Sequence, residues 1–271
     1  MSGPVNVEAV AEEMLAAARP LARAYFRTPL EVERKADHSP VTLADRAIEK
    51  AMKEVLARRL PDHGVFGEEH GTARLDARHV WVIDPVDGTK SFISGVPLFG
   101  TLIALLEAGA PVMGVIDMPM MGETWIGHVG GETRLNGRRC ATSGRTRLEE
   151  TILFATSPDQ FTAEEMQVFD GLSAACQARR FGGDCYSYGL LAAGHIDLIL
   201  EAELQPYDYL PVVPVVTAAG GVISDWQGEP LSLASSGQVL AAATPELHRA
   251  ALERIATLTA KAPLRPALRG L

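Results

Sequence analysis

The 271-residue sequence predicts an α+β fold, on three observations. Apolar residues such as Val7, Val10, Met14, Leu15, Ala18, Leu21 and Tyr25 recur at helical spacing, and Leu43, Ile48, Met52, Val55 and Leu56 repeat the pattern until Pro61 stops it. Between residues 98 and 140, Gly109, Gly122 and Gly130 punctuate apolar runs, which is the pattern of an antiparallel meander. Beyond residue 150, strand-like and helix-like segments alternate.

In chain order, the first helix covers residues 7–26. "LEVERKADHSPVTLAD" follows as a hairpin or strand turning at His38-Ser39-Pro40, then the second helix. "GVFGEEHG" is a short strand ending in acids, "HVWVID" is another, and the meander comes next. In the second half "TILFATS" is a strand, Thr162 to about residue 178 a helix, and the surroundings of Phe181 a short strand. "YSYGLLAAG" reads as helix and "IDLILEA" as strand. A helix runs from near Asp208 to Gly220-Gly221, and "GVISDW" is a strand. The last helix spans Pro245 to Leu258, and the tail "KAPLRPALRGL" is expected to be loose. The expected division is an N-terminal half, 1–145, and a C-terminal half, 146–271.

With 47% hydrophobic residues the chain can build a core, and a net charge of −9 argues against binding a nucleic-acid backbone. That charge does not exclude a small phosphorylated substrate if a metal reverses the local sign. Cys140, Cys176 and Cys185 lack paired spacing and are expected to be free thiols. The stretch "MSGPVNVEAVAEEML" carries acids within its apolar stripe, unlike a signal peptide, and no apolar run reaches the ~18 residues of a membrane span. The expectation is a cytoplasmic protein without membrane or nucleic-acid partners.

Carboxylates collect where apolar runs end: Glu68 and Glu69, Asp84 and Asp87, and Asp208, with Asp45 at the start of a helix. Two such charges ~4 Å apart repel by about 4 kcal/mol at an effective dielectric near 20. The cluster therefore requires protons, cations or metal ions, and Lys90 is the one cation nearby in sequence. All-oxygen donors suit Mg²⁺, Mn²⁺ or Ca²⁺ rather than zinc, and Mg²⁺ combines few carboxylates with substrate phosphate oxygens. In "DPVDGT", Pro85 restricts the turn between the acids, and Gly88 allows close approach of a ligand. The Gly88 and Thr89 amides could hold phosphate oxygens, and the Thr89 hydroxyl could orient a water. A phosphatase with an aspartyl nucleophile would want D-x-D-G-T, one residue shorter, and an EF-hand would want acids at alternating positions. For any single acid the structural alternative is a capped turn.

"GEEHG", "WVIDPVDGTKSF" and "PYDYLPVVPVVTAAGG", in this order, resemble the inositol monophosphatase family over about residues 7–260. The resemblance implies a layered αβαβα sandwich, usually homodimeric, that hydrolyses phosphate monoesters directly with a metal-activated water. It implies that Glu68, Asp84 and the Val86 carbonyl hold one Mg²⁺, that Asp84, Asp87 and Asp208 hold a second, and that a third can bind near Glu68. Mn²⁺ could substitute. Thr89, assisted by Asp45, would position the attacking water, and the Gly88 and Thr89 amides would bind phosphate. The family's Trp before the final aspartate is Tyr207 here, a change in packing that leaves the ligand intact.

"RRFGGDCYSYG" and "EAELQPYD" look most like the histidinol-phosphate phosphatase branch of that family. Histidinol phosphate carries an ammonium and an imidazole. Asp184 and Glu201 could bind them at ~1.5–3 kcal/mol per charge-assisted contact, with Arg180 at the pocket mouth. The alternatives for these residues are a helix N-cap for Asp184, an exposed strand end for Glu201 and a surface position for Arg180. Alternative activities are hydrolysis of inositol 1-phosphate, or of esters such as fructose 1,6-bisphosphate or an adenosine bisphosphate. A non-catalytic regulatory role is a third possibility, against which the intact acid set argues.

Overall fold

The computed structural model describes residues 6–29, 32–34 and 40–260. The expected turn at His38 and the tail beyond residue 260 lie outside the described residues. The chain begins with α1 (Val7–Tyr25), the antiparallel pair β1 (Val32–Arg34) and β2 (Pro40–Thr42), and α2 (Leu43–Arg59). Then come β3 (Gly64–Gly67), β4 (Thr72–Ala73), β5 (His79–Asp87) and the short α3 (Thr89–Ile93). The meander follows as β6 (Gly100–Glu107), β7 (Ala110–Met118), β8 (Glu123–His128), β9 (Thr133–Leu135) and β10 (Arg138–Cys140). The rest alternates: β11 (Ile152–Ala155), α4 (Ala163–Ser173), β12 (Ala178–Phe181), α5 (Tyr186–Ala192), β13 (Leu198–Glu201), α6 (Pro206–Tyr209), α7 (Val212–Ala218), β14 (Val222–Ser224), β15 (Val239–Ala242) and α8 (Pro245–Thr259).

These elements stack as an αβαβα sandwich. The first sheet has the order β10-β9-β8-β7-β6-β5-β3-β4 and is antiparallel except between β3 and β5. Along β5, Trp81 and Ile83 face α1 and α2, whereas Val80 and Val82 face the middle layer. Burial on both faces explains why β5 reads as an unbroken apolar run. α5, α6 and α7 fill the middle layer against the second sheet, β12-β11-β13-β15-β14. There Ile199 and Ala241 face inward, while Leu198, Leu200 and Leu240 face the outer α4 and α8.

The helices and strands of the second half differ from expectation in these places. α4 ends at Ser173, because Gln177 and Ala178 donate their N–H groups to the Thr151 carbonyl and start an edge strand. The single helix expected from Asp208 is two, α6 and α7, separated at Leu210-Pro211; a proline cannot donate the N–H that would continue the first. β15 was not anticipated, yet it lies between β13 and β14. The three cysteines are free. No helix among the described residues is long and apolar enough to cross a membrane.

Candidate active site

In a regular strand, side chains three residues apart point to opposite faces. Asp84 and Asp87 escape this rule through a β-bulge. Asp84 pairs with Leu102 and Asp87 with Gly100, so the β5 side carries one extra residue. The Thr101 hydroxyl donates to the Pro85 carbonyl (2.9 Å), and the Val86 N–H donates to Asp84 Oδ1 (2.9 Å), which pin the bulge. Asp208 arrives on α6, with its Oδ2 accepting the Gln205 N–H at 2.7 Å. Asp84, Asp87 and Asp208 then offer oxygens that all lie within 4.8 Å of one another.

Burial, then the charges of Glu68, Asp87 and Asp208, push the Asp84 carboxyl well above the usual range. Asp208 is pushed up likewise, by burial and then by Asp87. Asp87 is raised to about 7 by burial and by Asp184, against the stabilising N–H of Cys185 at 2.6 Å. Such a group cannot ionise together without a cation, and its all-carboxylate donor set fits a hard divalent metal such as Mg²⁺. Glu68 enters from the β3–β4 loop, its N–H donating to the Ile83 carbonyl (3.2 Å), and its charge acts on all three aspartates.

The Thr89 hydroxyl donates to the Val86 carbonyl (3.1 Å) and lies 3.4 Å from Asp45 Oδ1. A carbonyl has two lone pairs, so that bond leaves Val86 room for a metal. Asp45 Oδ2 accepts the N–H (2.9 Å) and hydroxyl (2.5 Å) of Thr42, the capping box that starts α2. Gly88 has φ +85°, and a Cβ there would meet the Asp184 carboxyl at 3.0 Å. The amides from Gly88 to Ser91 precede the first backbone bond of α3, which Phe92 makes to Gly88.

The second half brings its own acids to this loop. Asp184, at φ 45°, does not cap α5; Cys185 occupies that position. Instead Asp184 Oδ2 accepts the Ser91 hydroxyl (2.9 Å), and its carboxyl is raised by burial, opposed by Ser91 and Lys90. Glu201 is not an exposed strand end: it is 1% exposed, on the inward face of β13. Its Oε1 accepts the N–H (2.9 Å) and hydroxyl (2.8 Å) of Thr156, while its buried Oε2 has no hydrogen-bond partner. Burial pushes Glu201 up to about 8.

Arg180 is exposed on β12 and lines a cavity of about 620 Å³ with Gly183, Tyr186 and Ser187; none of the clustered aspartates lines it. A larger cavity, about 780 Å³, lies between α1 and β7 to β9 and also excludes the cluster. Tyr207 packs beside Phe66, with ring centroids 6.3 Å apart. The sequence reading missed Tyr188, whose buried hydroxyl has no hydrogen-bond partner and feels the charges of Glu201, Asp87 and Asp208. Tyr186 and Ser187 on the same helix also carry hydroxyls, so the sequence does not single Tyr188 out.

The chain matches the inositol monophosphatase family over residues 4–262. It is 42% identical over 256 residues to the bifunctional phosphatase IMPL2, chloroplastic, of Arabidopsis thaliana, covering 91% of this chain and 74% of that one. A histidinol-phosphatase of Chlorobaculum parvum is 34% identical over 225 residues, covering 80% of this chain and 85% of that one. Among solved structures, an inositol monophosphatase from Zymomonas mobilis superposes with a TM-score of 0.85 at 42% identity, covering 93% of this chain and 100% of that one. With a bulged Asp-Pro-Val-Asp-Gly-Thr strand end completed by Asp208 in a five-layer sandwich, the chain belongs to the inositol monophosphatase family of metal-dependent phosphatases that act on small phosphorylated substrates.

Proposed function

We propose that this phosphatase hydrolyses L-histidinol phosphate to L-histidinol and phosphate, a step of histidine biosynthesis. The carrying observation is Glu201 Oε2, a buried carboxyl oxygen with no hydrogen-bond partner, on an acid that a cationic ligand would ionise. An acid left in that state favours a ligand that brings its own positive charge. Histidinol phosphate has an ammonium and an imidazole; inositol phosphate offers hydroxyls. Asp184, seated on the Asp87–Gly88 loop, supplies a second acid within the same neighbourhood. The likeness to a histidinol-phosphatase at 34% identity supports the same reading.

In this reading Glu68, Asp84 and the Val86 carbonyl hold one Mg²⁺, and Asp84, Asp87 and Asp208 hold a second. A third ion can bind near Glu68, and Mn²⁺ can replace Mg²⁺. When bound, the ions supply charge neutralisation at the phosphoryl group and acidify water. The chain's own groups do the positioning: Thr89, backed by Asp45, orients the attacking water, and the Gly88 and Thr89 amides receive phosphate oxygens. Arg180 borders the mouth of the substrate pocket. The protein acts as a cytoplasmic homodimer.

Hydrolysis of inositol 1-phosphate is the second reading, favoured by the likeness to the Zymomonas mobilis inositol monophosphatase. Phosphate release measured side by side with Mg²⁺ separates the two. Histidinol phosphate is expected to turn over with the higher kcat/KM, and a large preference for inositol 1-phosphate overturns the assignment.

A further inference from the structure

Beyond the acids that face the site, α2 carries another carboxylate that the metal chemistry has not used. Glu49 is 0% exposed and lies one helical turn after Asp45, on the same face. Its Oε2 accepts the N–H of Glu69 at 2.6 Å, and its Oε1 accepts the N–H of His70 at 2.9 Å. Two consecutive backbone N–H groups thus converge on one buried carboxylate, an anion-binding arrangement of the main chain. Lys53 Nζ, 3.6 Å from Glu49, donates to the carbonyls of His70 (3.1 Å) and Gly71 (3.4 Å) and ties the same loop to the same helix. The fit leaves no spare room: a Cβ on Gly67 would come within 2.2 Å of Glu49 Oε1.

The residue between Gly67 and these amides is Glu68. Its own N–H is fastened to Ile83, the neighbour of Asp84. Upstream, then, Glu68 is tied to β5; downstream, the next two amides are tied to Glu49. We propose that Glu49 is a positioning residue of the metal site, fixing where the Glu68 carboxylate meets Asp84. The inference rests on the reading that Glu68 and Asp84 share a metal. It makes α2 a common ruler for both acid-bearing loops. Asp45 contacts Thr89 in the loop after Asp87, and Glu49 holds the loop of Glu68.

Glu49→Gln tests this with little change of shape. The amide replaces one acceptor oxygen with an NH₂ that faces a backbone N–H, so one of the two loop bonds is lost. Mn²⁺ binding to the full-length protein is followed through the EPR signal of the free ion, beside the melting temperature in chelator and kcat against metal concentration. The expected result is about a tenfold or greater loss of Mn²⁺ affinity, the range seen when a residue that orients a ligand is removed. Activity should recover as Mg²⁺ is raised, with KM for the ester at saturating metal unchanged. A purely structural role would lower the melting temperature and leave metal affinity alone, and that result overturns the proposal. If Glu49→Gln does not fold, Gly67→Ala, which presses a methyl group on the same carboxylate, is held to the same outcomes. Asp84→Asn is run alongside: wild-type Mn²⁺ binding in that variant sinks the shared-metal reading and this inference with it. Loss in Asp84→Asn with none in Glu49→Gln sinks this inference alone.

Discussion

β13 has a buried acid at each end, and the two ends are built differently. Asp197, just before the strand, is 0% exposed and fully engaged. Its Oδ1 accepts the Ser143 hydroxyl (2.6 Å), and its Oδ2 accepts the Ile152 N–H (2.9 Å) and pairs with Arg145 (2.8 Å). Glu201, at the other end, is just as buried, but only one of its oxygens is used, and by neutral donors. A buried acid with a cation and a full set of donors is a structural staple. One with a spare oxygen and no cation is, in the proposed function, left for the substrate. Burial alone therefore does not distinguish these two acids; their pairing does.

The largest effect is expected away from β13 and sets the scale for both ends. Asp84→Asn should lower turnover of every phosphate ester by at least ~10³-fold, about 4 kcal/mol of barrier. Activity near wild type in a phosphate-release assay would remove the metal cluster from the chemistry. At the structural end, Asp197→Ala should cost about 2 kcal/mol of stability by denaturant unfolding, because the Ile152 amide and the Ser143 hydroxyl lose their acceptor, while Arg145, 43% exposed, returns to solvent. The ratio of kcat/KM for histidinol phosphate to that for inositol 1-phosphate should not move, and a shift in that ratio would erase the distinction between the ends.

At the other end, Glu201→Gln keeps the bonds from Thr156 and loses the charge. KM for histidinol phosphate should rise about 10- to 100-fold, with a much smaller change for p-nitrophenyl phosphate. Equal effects on both esters would mean that Glu201 does not recognise the substrate's cation.

A further effect is on stability against pH in chelator. Glu201 has its ordinary value of 4.5 in the unfolded chain and about 8 in the fold, so between these values the fold binds more protons than the unfolded chain. Stability contributed by the neutral acid is thus complete below about pH 4.5 and lost as pH rises through about 8. Asp87, raised to about 7, acts in the same direction. Melting temperatures should fall over this window in wild type and fall less steeply in Glu201→Gln. An identical slope in the two proteins would deny Glu201 its buried proton.

Much of the site could be read from residue types. The acids at positions 68, 84, 87 and 208 announced oxygen-ligand chemistry because like charges have few other reasons to gather. The helices of the first half followed from their periodicity. What escaped reading depended on partners far along the chain. β15 is short and rich in alanine, and it is a strand because β13 and β14 flank it. In the sequence, Glu49 has nothing to set it apart from the other charged residues of α2; Gly67 and two loop amides make it a buried anchor. The bulge was half visible: the odd spacing of Asp84 and Asp87 demanded a turn, but only pairing with Gly100 and Leu102 supplied one.

By itself the sequence determined the class of chemistry, since a carboxylate's charge and its preference for hard cations belong to the residue. It also determined the helices and the long core strands, whose periodicity is a local property. The tertiary structure alone decided which acids are satisfied and which are not. Pairing is set by contacts such as Cys185 with Asp87 and Thr156 with Glu201, 98 and 45 residues apart, and no local pattern encodes them. Asp197 and Glu201 are four residues apart in the sequence, and both are carboxylic acids. Their neighbours in space, Arg145 for one and Thr156 for the other, make them a staple and a candidate binding group.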